Sequence, residues 1–164
     1  MKKRLGLAAT SLLMLSGPAL AADYSSSGFD WDGFYAGIGV SGSAWSNGET
    51  VYSVDGIAGF NVVNDGILFG AEGFFGYVVD SSSLTGTEGG VNARLGYLVS
   101  NDAVAYITGG GAYMSLPNDW HATVGAGIEF AVSENTTMDF KFEHWRGSTF
   151  TANRIDASIN WYFN

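Results

Sequence analysis

The sequence predicts an all-β protein, an eight-stranded antiparallel up-and-down transmembrane β-barrel, and three observations carry the prediction. Only 14% of the 164 residues are charged, against 46% hydrophobic and 15% aromatic; a soluble domain, at about a quarter charged, covers itself far better. Beyond the N-terminal leader no apolar run reaches the ~18 residues of a membrane helix, and the uncharged stretch 103–118 is broken by Gly109-Gly110-Gly111 and Pro117. Eight successive segments alternate apolar with small or polar residues, the period of a strand with one face on lipid and the other on a lumen. A closed barrel is then the one spanning architecture left, because every backbone N–H and C=O must be paired inside hydrocarbon.

Residues 1–21 read as a cleaved signal peptide: Lys2, Lys3 and Arg4 precede the apolar run 5–15, Pro18 breaks it, and Ala19-Leu20-Ala21 offers the small-residue cleavage box. Residues 22–32 follow as an N-terminal periplasmic segment, and 33–164 as the barrel. After cleavage the cations are Arg94, Lys141, Arg146 and Arg154, set against all 16 acids. Such a chain offers no clustered Lys or Arg for phosphate backbones, which argues against a nucleic-acid partner. Without Cys it has no thiol chemistry, disulfide or Cys-based metal site, and no cofactor is expected.

Each strand follows from its phase. Residues 33–43 set Phe34, Ala36, Ile38 and Val40 against Tyr35, Gly37, Gly39 and Ser41; residues 52–62 set Val54, Ala58, Phe60 and Val62 against Ser53, Asp55, Gly59 and Asn61. Val63-Asn64-Asp65-Gly66 contains the Asp-Gly hairpin signal. Residues 67–79 then place Phe69, Ala71, Phe75 and Tyr77 opposite Gly70, Glu72, Phe74 and Gly76. A Ser/Thr/Gly loop over 80–88 leads to 89–99, with Val91, Ala93, Leu95 and Tyr97 against Asn92, Arg94 and Gly96. After a turn at 100–102, residues 104–114 put Ile107, Gly109, Gly111 and Tyr113 against Tyr106, Thr108, Gly110 and Ala112, and 115–120 is a loop. Residues 121–132 give Ala122, Val124, Ala126, Ile128 and Phe130 against Thr123, Gly125, Gly127 and Glu129. Residues 138–146 give Phe140, Phe142 and His144 against Asp139, Lys141, Glu143 and Trp145. The last run, 154–163, gives Ile155, Ala157, Ile159, Trp161 and Phe163 against Arg154, Asp156, Ser158, Asn160 and Tyr162.

None of the outward residues just named is Asp, Glu, Lys or Arg. A secreted barrel with its apolar face inward is the competing arrangement. It would have to hold most of the large aromatics in a small interior and expose a glycine-rich exterior. Aromatics also gather at the two strand ends, Trp31, Phe34, Phe69, Tyr97, Phe130, Trp161 and Phe163 at the short-turn end and Trp45, Tyr52, Tyr77, Tyr113 and Trp120 at the other. These are expected to form the two interfacial belts of a membrane protein.

Trp31-Asp32-Gly33-Phe34-Tyr35-Ala36-Gly37 after a signal peptide, Gly59-Phe60-Asn61, Gly70-Ala71-Glu72-Gly73, Arg94-Leu95-Gly96-Tyr97, Tyr106-Ile107-Thr108-Gly109-Gly110 and Gly125-Ala126-Gly127-Ile128-Glu129-Phe130 together resemble small eight-stranded outer-membrane β-barrel proteins, the porin-family or OmpA-like barrels of alphaproteobacterial type. The resemblance covers the mature chain. It implies the cell outer membrane as location, with outer-membrane lipid and lipopolysaccharide as surroundings; the sequence leaves the oligomeric state open, with a monomer expected. The resemblance also implies a C-terminal aromatic read by the barrel-assembly machinery, here Phe163, followed by Asn164.

Inside, glycines make room while Glu72, Arg94, Glu129, Lys141, Glu143, Arg154 and Asp156 supply charges that need partners or water. They are expected to form a lumen ion-pair network; the alternative is a narrow, hydrated, cation-preferring channel. Glu49, Asp80, Glu88 and Asp119 read as acids of short external loops. Catalysis is not expected: His144-Trp145-Arg146-Gly147-Ser148 lacks the His-x-Ser spacing of outer-membrane lipid deacylases, so Ser148 would reach His144 only through a bend. His121 reads as a loop-edge residue with no second ligand for a metal. The expected role is structural or surface-interacting, with a side-chain-plugged lumen.

Overall fold

A computed structural model describes residues 28–79 and 84–163; the proposed signal peptide, Asp80 and Asn164 lie outside the described residues. Eight strands run β1 (Gly33–Trp45), β2 (Thr50–Asn64), β3 (Ile67–Val79), β4 (Leu84–Ser100), β5 (Ala103–Met114), β6 (Asp119–Ala131), β7 (Thr136–Arg146) and β8 (Thr151–Tyr162). Each pairs antiparallel with its sequence neighbours, and β1 pairs with β8, so the sheet closes as an up-and-down barrel without an edge.

Several strands start earlier than alternation alone suggests, because pairing continues past the alternating segment as long as backbone groups face a neighbour. β4 begins at Leu84, which brings Glu88 into the sheet opposite Met114, and β6 begins at Asp119. The expected 63–66 turn narrows to Asp65-Gly66, where both residues have positive φ (50° and 78°), the two-residue turn whose twist matches the strands it joins. At the opposite end the connections 46–49, 115–118 and 147–150 are barely longer. By the turn rule for such barrels, the end with two-residue turns is designated the periplasmic end and the other the external end.

The wall obeys the predicted phase. Phe34, Ile38, Val54, Phe75, Val91, Leu95, Ile107, Val124, Phe142 and Ile155 are exposed, an apolar exterior that only lipid can solvate. One side chain departs from the charge-free exterior: Arg146 ends β7 on the outward phase and is exposed.

The interior is stacked in layers. At the periplasmic end Phe29, Trp31, Tyr35, Leu68, Val104 and Tyr162 form an apolar cluster; at the external end Val51, Val78, Ala112, Met114, Trp145, Phe150 and Ala152 form another, with Trp45 and Phe74 against it. Polar and charged side chains fill the space between.

Candidate functional site: the filled lumen

Two cationic centres organise that polar middle. Arg94 on β4 donates to Glu129 Oε2 at 2.6 Å and to the Tyr35 hydroxyl oxygen at 2.6 Å, and lies 3.4 Å from Glu72 Oε2. Tyr35 in turn donates to Glu72 at 2.8 Å. Lys141 joins the same tier, 3.0 Å from Glu72 and 3.6 Å from Glu143. Glu129 also accepts from Thr137 at 2.5 Å and from Asn160 at 3.2 Å. Tyr106 donates to the Asp139 carboxylate at 2.7 Å and lies under the Arg94 guanidinium, 4.0 Å from ring centre to Cζ. Nearer the external end, Arg154 pairs with Asp55 at 2.7 Å, with Asp156 at 2.6 Å, and with Glu88. Its guanidinium lies 5.0 Å over Trp145.

All seven residues of the expected network are thus brought together, in two tiers; six have side chains nearly sealed from solvent, and Asp156 is partly exposed. Between them a cavity of about 10 Å³, lined in part by Asp55, Glu72, Lys141, Glu143, Arg154 and Asp156, has room for about one water.

Glu88 corrects the sequence reading. Expected as an external-loop acid, it is buried and paired with Arg154, because β4 begins before it. Tyr35, Tyr106 and Asn92 are the partners that charge counting missed. A signal for the two tyrosines exists in the register: Tyr35 faces Gly59 and Tyr106 faces Gly127 across neighbouring strands. A Cβ on either glycine would enter the tyrosine ring, so an inward aromatic opposite an inward glycine marks a ring laid flat along the wall.

The aromatic ends divide. Phe34, Phe69, Tyr97, Phe130, Trp161 and Phe163 are exposed on the wall at the periplasmic end, and Tyr52, Tyr77 and Trp120 at the other. Tyr113 is part-covered and packs at a tilt against Trp120, ring centroids 5.2 Å apart. Trp31 is no belt residue: it is 1% exposed. Its indole N–H donates to the Asn101 carbonyl at 3.2 Å, and the ring packs on Phe29, folding the chain before β1 across the barrel mouth. Nor is Trp45, which lies on the inward phase of β1 and stacks on Phe150 at 4.1 Å. Asp32 continues the cap by accepting from the Val63 N–H at 2.7 Å.

The histidines form no catalytic pair. His144 Nδ1 lies 3.0 Å from Asn153 Oδ1, while Ser148 donates to Asp119 at 2.8 Å. Asp119 also accepts from the Thr149 N–H at 2.8 Å, tying the 147–150 connection to β6. His121 is not a loop-edge residue: it is buried against Phe150 and Trp145 in the external cluster. Among the described residues no group of three His, Asp or Glu side chains is arranged to hold a metal.

No family model matches the chain. It is 28% identical to the 25 kDa outer-membrane immunogenic protein of Brucella ovis, across 82% of this chain and 79% of that protein. It spans 61% of the length of the Brucella canis protein of the same name. Among solved structures, the N-terminal β-barrel domain of Pseudomonas aeruginosa OprF aligns with a TM-score of 0.56 at 14% identity, covering 79% of this chain and 97% of that domain. The attachment invasion locus protein Ail of Yersinia pestis aligns with a TM-score of 0.56 at 12% identity, covering 79% and 96%; at such identities the fold is what is shared. Closed antiparallel topology, an apolar exterior around a polar interior, and outer-membrane relatives agree: the chain is an eight-stranded β-barrel of the outer membrane, similar to the outer-membrane immunogenic proteins of Brucella.

Proposed function

We propose that the barrel serves the envelope as a structural, surface-exposed protein whose lumen is plugged by its own side chains and does not conduct. The observation that carries this reading is the Arg94 tier, which draws β1, β3, β4, β6 and β7 together across the lumen through Tyr35, Glu72, Glu129 and Lys141. Apolar clusters lie above and below it, which supports a sealed lumen. Eight strands enclose a bore that side chains can fill, and here rings and ion pairs fill it. The external connections are too short to carry a folded adhesin, so any contact with the outside falls to the loop tips and the rim. Neither His144 nor Ser148 is placed for nucleophilic catalysis, and no enzymatic role is assigned.

A cation-preferring channel is the second reading. It is favoured by one observation: Asp55, Glu72, Glu88, Glu129, Asp139, Glu143 and Asp156 face only Arg94, Lys141 and Arg154. Conductance in a planar bilayer separates the two. A plugged barrel inserts without unitary current steps; reproducible cation-selective steps from the wild-type protein would replace the plug with the channel.

A further inference from the structure

The described cations divide unequally between the two faces of the wall. Arg94, Lys141 and Arg154 are buried in the lumen with carboxylate partners. Arg146 continues the outward phase of Phe140, Phe142 and His144 and is exposed. Among the described residues no carboxylate pairs with it, and Asp119 on the adjacent strand is engaged with Ser148 and Thr149.

The register fixes its height. Across β6, β7 and β8 the outward rows run Ala126, Phe142, Ile155; then Val124, His144, Asn153; then Ala122, Arg146, Thr151 toward the external end. Successive rows on one face are two residues, about 7 Å, apart. Over roughly 14 Å the wall therefore passes from hydrocarbon side chains, through an imidazole–amide pair, to a guanidinium. That is the sequence of environments from acyl chains to head groups. Trp120 lies one outward row beyond Ala122 on β6, 70% exposed and packed at a tilt against Tyr113, where an amphipathic ring favours the interface.

We propose that this outward rim of β6–β8 binds the phosphate of an anionic lipid in the outer leaflet. The Arg146 guanidinium supplies a planar fork for two phosphate oxygens. His144 occupies the Asn153 Oδ1, which leaves the Asn153 amide N–H groups to face the ligand, and Trp120 flanks the head group. Charge complementarity selects the occupant: in an otherwise acidic barrel this cation meets no internal counter-ion, so its partner comes from the surrounding leaflet. The site rests on the envelope reading of the wall and is independent of whether the lumen conducts.

The test uses the intact barrel refolded into phosphatidylcholine vesicles in which a fixed fraction of either phosphatidylcholine or phosphatidylglycerol carries brominated acyl chains. Trp161, the other lipid-exposed tryptophan among the described residues, is replaced by Phe in every protein compared, so that quenching reports which lipid sits beside Trp120. Wild type is expected to favour phosphatidylglycerol about five-fold, the usual effect of one basic residue at an anionic surface. Arg146→Gln should abolish the preference and Arg146→Lys retain most of it. Asn153→Ala, with a partial loss expected, carries the test if Arg146→Gln does not fold. Equal quenching by the two lipids in wild type overturns the proposal. So does loss of the preference in millimolar inorganic phosphate, which would make the rim a site for the free anion. A conducting barrel that keeps the preference would sink the plug and leave this site standing; a sealed barrel without it would do the reverse.

Discussion

Replacing Arg94 by alanine tests whether the lumen is a dry, paired interior. The guanidinium is buried, 2.6 Å from Glu129 and 3.4 Å from Glu72. Its removal does not strand both carboxylates equally. Glu72 keeps Lys141 at 3.0 Å and the Tyr35 hydroxyl at 2.8 Å. Glu129 keeps only neutral donors, Thr137, Asn160 and Tyr162, all on its other oxygen. One uncompensated buried charge therefore results, and breaking a buried pair in this way costs about 3–5 kcal/mol. Converting both partners, Arg94→Met with Glu129→Gln, removes the charge as well as its partner and should recover most of that loss, since apolar replacement of a buried pair is often close to neutral. Reversible urea unfolding in lipid vesicles, followed by tryptophan fluorescence, of wild type, Arg94→Met, Glu129→Gln and the double variant gives the four corners of the cycle, with Arg94→Ala measured beside them. A single-variant loss below about 1 kcal/mol, the range of a solvated pair, would refute the reasoning by showing that water already screens Glu129.

Three further outcomes follow from the same layering. Leu95→Arg, on the lipid face of β4 beside Arg94, should cost about 2–4 kcal/mol if its row lies near the bilayer midplane, while Thr123→Arg on the lumen face should disturb the tie between Thr123 and Asn92 instead; equal tolerance of both in the unfolding assay contradicts the phase. Trp31→Ala should lose about 3–5 kcal/mol, measured in the same way, because the ring is enclosed by Phe29 and Tyr162 and its N–H holds the Asn101 carbonyl; a belt residue would be far cheaper to remove. Gly59→Ala should cost about 1–3 kcal/mol through overpacking, since the added methyl meets the Tyr35 ring. Gly73→Ala, whose nearest neighbour would be 3.7 Å away on the lipid side, serves as the tolerant control.

Parity was legible because lipid and lumen are opposite solvents, and a strand cannot serve both without alternating. From Val91 to Tyr97 every odd residue is apolar and every even one is polar or glycine, and the wall follows that order. Height along the barrel axis is not encoded by a period of two. Glu88 was misplaced for that reason: nothing in 80–88 marks where β4 starts, and its partner Arg154 is supplied by a strand distant in sequence. Trp31 precedes the first strand, so alternation could not say that the chain folds back across the mouth. Trp45 and Arg146 were different cases, since each lies on the parity its strand predicts, inward and outward respectively. Residue type suggested a belt for the one and a charge-free wall for the other, and the phase was the better guide. The pairing of Arg94 with Glu129 and of Arg154 with Asp55 depends on how the strands stagger when the barrel closes, which no single segment contains.

Access of water-borne reagents to the middle of the lumen tests the plugged-barrel account most directly. Thr108 faces inward on β5 opposite Arg94 on β4, is buried, and its hydroxyl makes no hydrogen bond, so Thr108→Cys is a nearly isosteric probe in a chain with no other cysteine. A charged, membrane-impermeant thiol reagent added to the variant in vesicles should label it at least a hundred-fold more slowly than Asn47→Cys in the exposed 46–49 connection, by the population arithmetic of a site that must open by about 3 kcal/mol to react. Labelling of Thr108→Cys within ten-fold of the loop cysteine would show an open, hydrated lumen and contradict the account.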